Sequence, residues 1–138
     1  MGPGDSNTTT LATLKVLDIP KLAEDGSNWT TYKDRVMNHL ISKGLARHIR
    51  GTARKPVGLV QMKGKFYKAD ADLTATDSLV PLDEDEIEKA ETEVDSWEIK
   101  QAQVREIIYA TVSRTTYNQI KSSITVQELW EKMKEIHE

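Results

Sequence analysis

Cysteine is absent from the 138 residues. That removes a disulfide framework, a thiolate zinc site and a cysteine nucleophile together. No stretch approaches the roughly 18 consecutive apolar residues of a membrane span, and no apolar segment near the start reads as a signal peptide. The glycines never gather into a phosphate-cradling loop, and neither a nucleophile elbow nor a catalytic triad can be assembled. His39, His48 and His137 stand without a second metal-type ligand at helical or zinc spacing; for His39, between apolar helix positions, a surface or half-buried packing role is expected. The acidic run Asp83 to Glu88 lacks the glycine and the alternation of a calcium loop, and a solvated helix start explains it. Carboxylates are plentiful but fall on helix faces, with nothing to raise one pKa for acid–base work. The expectation is a non-enzymatic protein with no cofactor, no metal, no small-molecule substrate and no membrane partner.

Apolar residues make up 38% of the chain and charged residues 30%, enough for one domain with one modest core. The net charge of -3 argues weakly against a nucleic-acid-binding role for the domain as a whole. The total hides a segregation. Residues 35–69 carry nine Lys or Arg and no acid, whereas residues 70–98 carry twelve Asp or Glu and a single lysine, Lys89. On one reading the two blocks face each other within the chain or are simply solvated. On the other they form a polar surface that matches head to tail between copies, or a basic strip that meets RNA. Arg47, Arg50, Arg54 and Lys55 against Glu84, Glu88 and Glu91 are the residues to test for such an assembly or RNA surface.

Residues 1–13 are Gly, Ser, Asn and Thr with few apolar groups, and a disordered tail is expected. Met1-Gly2-Pro3-Gly4-Asp5-Ser6 formally matches a myristoylation pattern, but Pro3 beside the acceptor favours a free tail or an expression scar. The glycosylation matches at Asn7 and Asn28 carry no weight without a signal peptide. Leu14 to Leu22 alternates around Pro20 and reads as an extended lead-in that lays Val16, Ile19 and Leu22 onto the body.

A first helix is expected after Asp25-Gly26-Ser27-Asn28, capped by Ser27 or Asn28. Its buried face is Trp29, Tyr32, Val36, Met37, Leu40 and Ile41, and Gly44 is its stop. Leu45 to Ile49 predicts a short helix ending at Gly51. Residues 51–82, with Pro56, Gly58, Gly64 and Pro81, are the least regular part. There Val60-Gln61-Met62 and Lys65-Phe66-Tyr67 flank Lys63-Gly64, which fits a small β-hairpin. A loop of this length is either functional or mobile.

Asp83 and Glu86 form a capping box for the longest helix. Its stripe is Ile87, Ala90, Val94, Trp97, Gln101, Val104 and Ile108, thickened by Ile107, and it should run to about Thr111. Ser113 should cap a helix from Arg114 to Lys121. Thr125 and Glu128 make a second capping box for a last helix burying Leu129, Trp130, Met133 and Ile136. The class is therefore all-α: a compact bundle of about four to six helices with a long irregular insertion at 51–82. The tryptophans Trp29, Trp97 and Trp130 share helical spacing with aliphatic residues. A core role is favoured over stacking on single-stranded nucleic acid. Trp29, Tyr32, Leu40, Trp97, Ile108, Leu129, Trp130 and Met133 are the expected structural centre.

Asp25-Gly26-Ser27-Asn28-Trp29-Thr30-Thr31-Tyr32, followed by Arg35-Val36-Met37 and Leu40, resembles the opening of the Gag polyprotein of copia-type retrotransposons. Trp29 and Tyr32 stand in the reverse of the commoner order. Trp97 with Ala102 and Ile107 is similar to the family's central helix. Thr125-Val126-Gln127-Glu128-Leu129-Trp130-Glu131-Lys132-Met133 resembles its most specific segment, although Met133 and His137 replace the commoner Leu and aromatic. The resemblance spans about residues 20–138. It implies the N-terminal lobe of a capsid, here residues 14–138, as a fragment of a longer polyprotein. It further implies self-association into rings and cytoplasmic particles that enclose the element's RNA, with RNA held by other parts of the polyprotein. Two rivals stay open: a host adaptor derived from such a Gag, and a helical nucleic-acid-binding module using the basic block 35–69.

Overall fold

The computed structural model describes residues 19–74 and 79–138. The expected tail, Val16 and the Asn7 acceptor lie outside the described residues. Five helices and one hairpin make up the regular structure among those described: α1 Trp29–Ser42, α2 Ala46–Arg50, β1 Leu59–Met62, β2 Lys65–Lys68, α3 Glu84–Tyr109, α4 Arg114–Ile120 and α5 Val126–His137. The chain is mostly helical.

Capping chemistry sets the helix starts. Asp83 accepts from the Glu86 N–H at 2.8 Å while the Glu86 carboxylate accepts from the Asp83 N–H at 3.2 Å, so both halves of the capping box are made. Ser113 accepts from the Thr116 N–H. At α5 only half of the expected box forms. Thr125 accepts from the Glu128 N–H, but the Glu128 carboxylate reaches one residue further back, to the Ile124 N–H. Asn28 occupies the N-cap of α1 without capping it. Its side chain instead accepts from the Ala23 N–H and donates to the Lys21 carbonyl, both at 2.9 Å, which pins the extended lead-in.

The core gathers Tyr32, Val36 and Leu40 from α1, Ile49 from α2, Val104 and Ile108 from α3, Ile120 from α4, and Leu129 and Met133 from α5. Each such buried side chain contributes on the order of 1.5–3 kcal/mol relative to exposure. Ile19 and Leu22 of the lead-in pack onto this core, and the Leu22 N–H donates to the Thr111 carbonyl at 2.8 Å. The Thr111 hydroxyl donates back to the end of α3, so the Tyr32 hydroxyl, 2.7 Å away, is the donor between them. Burial pushes the Tyr32 phenol up to about 12, which keeps it a neutral donor.

Several expected core positions differ, and Ile87 and Val94 of α3 are half-buried and outside the main core. Ile41 and Ile136 are exposed. His39 fills the shoulder of the α1 stripe instead, buried rather than half-buried, and His137 takes the turn after Met133 against Trp29. Trp97 is half-buried and outside the main core, because its turn of α3 faces the segment after α2. Helix α3 also ends at Tyr109, two residues short of Thr111.

The insertion is more regular than its composition suggests. β1 and β2 pair antiparallel, with Val60 opposite Tyr67 and Met62 opposite Lys65. Lys63 (φ 52°) and Gly64 (φ 78°) both adopt positive φ, as a tight two-residue hairpin turn requires. The hairpin lies along α3, with Tyr67 and Ala90 buried.

Candidate functional site

Two of the grooves along α3 lie on different faces of the helix. The first is open, mostly apolar and about 690 Å³ in volume. His39, Lys43 and Leu45 form one wall, and Ile99, Ala102, Gln103, Glu106 and Ile107 of α3 form the other. Ile99 is 58% exposed, and Ile41 on the last turn of α1 is 52% exposed. Lys43 and Glu106 place opposite charges around an apolar centre. His39 is held below its ordinary pKa by desolvation and by the nearby Lys43 ammonium, so this wall is neutral apart from Lys43. Lys43, Ile99 and Glu106 were not singled out from the sequence, and Ala102 and Ile107 entered only through the resemblance. The available signal was Ile99, an isoleucine off the apolar stripe of its helix.

The second groove, about 320 Å³, collects Arg47 and His48 of α2, Ala53, Arg54 and Pro56 of the following loop, and Glu93, Ser96, Trp97 and Lys100 of α3. The Trp97 indole donates to the Ala53 carbonyl at 3.2 Å, and the Lys55 ammonium stands 5.6 Å from the ring centre. His48 is held low by desolvation and then by Lys100 and Arg47, whose positive charges disfavour its protonation.

Beneath this groove lies a buried polar relay. Gln101, 2% exposed, accepts from the Val126 N–H at 3.0 Å. Its amide nitrogen therefore faces His48 Nδ1, at 3.1 Å. An amide nitrogen only donates, so Nδ1 accepts and the imidazole proton sits on Nε2. The relay joins α2, α3 and the start of α5.

Of the residues expected at the structural centre, Trp29, Tyr32, Leu40, Ile108, Leu129, Trp130 and Met133 are buried together. Trp29 and Trp130 have ring centres 5.4 Å apart. Arg47, Arg50, Arg54, Lys55, Glu84, Glu88 and Glu91 are all exposed. Among the described residues no ion pair joins any of them. The two charge blocks nevertheless lie side by side: Arg54 and Glu93 share the second groove, and Lys68 and Glu86 line a neighbouring cleft. The structure thus brings Arg47 and Arg54 together with Trp97 but keeps Glu84, Glu88 and Glu91 out of that groove. Among the described residues there is no cluster of three metal-type ligands, and no helix is long and apolar enough to cross a membrane.

Fold and site together define a mostly helical domain with a docked hairpin and grooves along one long helix. Comparison with protein-family models, curated proteins and solved structures finds no match to this chain.

Proposed function

We propose that this chain is a non-catalytic structural domain of a Gag-type capsid, whose copies self-associate laterally into particles enclosing retrotransposon RNA. The observation that carries the reading is the apolar groove between the end of α1 and α3. Its exposed Ile99 is flanked by Lys43 and Glu106. A second copy related by a two-fold axis sets Lys43 against Glu106 twice and closes the apolar centre into a dimer, the unit that further contacts extend into a shell. The sequence resemblance supports the same reading, and two of the three segments that carry it meet at the Trp29–Trp130 contact.

Sedimentation of the purified chain across a concentration series, with particle imaging of the polyprotein expressed alone, tests it. Ile99→Glu should abolish self-association and particles while leaving helical content unchanged. Lys43→Glu and Glu106→Lys should each weaken association, and combining both in one chain should restore it. A wild-type chain that stays monomeric and whose polyprotein forms no particles, or association indifferent to Ile99→Glu, overturns the proposal.

A further inference from the structure

We infer that the groove between α2 and α3 binds single-stranded nucleic acid, with Arg47, Arg54 and Lys100 on phosphates and Trp97 stacked on a base. This site is independent of the lateral contact proposed above.

Three cations converge on the groove from a helix, a loop and a second helix, and among the described residues Glu93 is the one acid that lines it. Among the described residues no carboxylate lies within ion-pair distance of Arg47, Arg54 or Lys100. The chain carries more acids than bases, so partners for these cations were available, and the described acids do not pair with them. Cations gathered without neutralisation attract a polyanion and release its counterions on binding.

Trp97 turns a generic basic patch into a more specific one. Its indole N–H is already satisfied by Ala53, so the ring needs no polar partner from a ligand and is held in a fixed plane. The ring remains half-exposed among the cations. Lys55 lies over it on an otherwise exposed stem. An incoming base displaces that ammonium, which then becomes a fourth phosphate contact. A fixed aromatic plane bordered by Arg and Lys is the chemistry that holds single strands. A duplex keeps its base faces stacked inside and offers nothing to the ring. The acidic start of α3 in a second copy, Glu84, Glu88 and Glu91, could neutralise the cations but likewise has nothing to stack on Trp97.

The test is fluorescence anisotropy of the whole chain with a labelled oligouridylate of about a dozen nucleotides, beside a duplex RNA of equal length, from about 50 mM salt upward. The expected result is preference for the single strand and quenching of tryptophan emission. The logarithmic salt slope should be near -3, from about -0.7 per phosphate contact and four contacts, Lys55 included. Arg54→Glu with Lys100→Glu should lower affinity at least tenfold. Trp97→Leu should lower affinity without changing the slope, and Trp97→Phe should recover part of it. Circular dichroism checks folding. If the double reversal melts early, Lys100→Glu alone, at an exposed position, carries the test. No binding at low salt, equal binding of the duplex, or an equal loss from the distant control Lys121→Glu overturns the inference. So does a double reversal that abolishes self-association yet spares binding, since it assigns the groove to a second copy.

Discussion

Gln101 offers the sharpest test of the packing, because one side chain joins three helices. Gln101→Leu preserves volume but removes both polar contacts. The Val126 N–H, at a fully buried first position of α5, then has no partner, and His48 Nδ1 loses its donor. Leaving each buried group unpaired costs about 1–3 kcal/mol. The leucine returns about 1–2 kcal/mol of apolar burial. The expected net loss is about 2–4 kcal/mol, a drop in Tm on the order of 10 °C for a domain of this size.

Thermal unfolding followed by circular dichroism measures that loss, and nitrogen-15 spectra of His48 supply a second readout. The wild-type ring should be the Nε2–H tautomer. Gln101→Glu should keep the bond to Val126 while presenting a carboxylate to Nδ1, which raises the His48 pKa above its lowered wild-type position. A Gln101→Leu variant that melts within a degree of wild type, or a wild-type His48 protonated on Nδ1, would refute the relay.

Trp130→Ala should cost about 3–5 kcal/mol in denaturant unfolding, since Trp130 is buried against Trp29; an unchanged midpoint would place Trp130 on the surface. Gly51 (φ 80°) and Gly44 (φ 71°) both adopt left-handed backbone, but an added Cβ meets the Gln127 side chain only at Gly51. Gly44→Ala should therefore cost about 1 kcal/mol, Gly51→Ala more, and Gln127→Ala should erase the difference; equal costs in the wild-type background contradict the contact. His39, His48 and His137 are all held below the ordinary value of 6.5 by desolvation. The unfolded chain therefore binds more protons just below pH 6.5, and stability present above that pH should fall as pH drops through the lowered native values. Equal denaturant midpoints at pH 7 and pH 5 would contradict this.

Local chemistry was legible in the sequence wherever one short segment decides the outcome. The Asp83–Glu86 box, the Ser113 cap and the Lys63–Gly64 turn each need only two or three neighbouring residues, and each forms. Shoulder positions were not legible. Ile41 and Ile136 sit at the edge of their stripes, and which edge turns inward depends on the neighbouring element. His39 is buried where Ile41 is not, and His137 stacks against Trp29. Trp97 continues the α3 stripe in sequence, but the hydrophobic core meets only the later part of that helix, at Val104 and Ile108. The second groove was half visible. Arg47 and Arg54 stood out as charges, but nothing in the sequence brings them to Trp97 and Lys100 some fifty positions away. The first groove was invisible, since its walls meet only when α1 lies against α3.

The geometry of α3 decides whether the two proposed contacts compete. Ile99, Ala102 and Glu106 recur at spacings of three and four and form one stripe on the helix; Glu93, Trp97 and Lys100 recur at four and three and form another. The stripes face different grooves, so a lateral neighbour and a nucleic-acid strand can be held at once. Their physics also differs. The lateral contact has an apolar centre, which salt hardly weakens, and exposed charge pairs worth under about 1 kcal/mol each. Such weakness keeps each contact reversible, and the multiplicity of contacts in a shell supplies the avidity. The basic groove relies on counterion release and loses affinity steeply as salt rises. Raising salt should therefore strip nucleic acid from assembled particles before it separates the subunits. Disassembly and release that coincide across a salt series would mean that one surface serves both contacts.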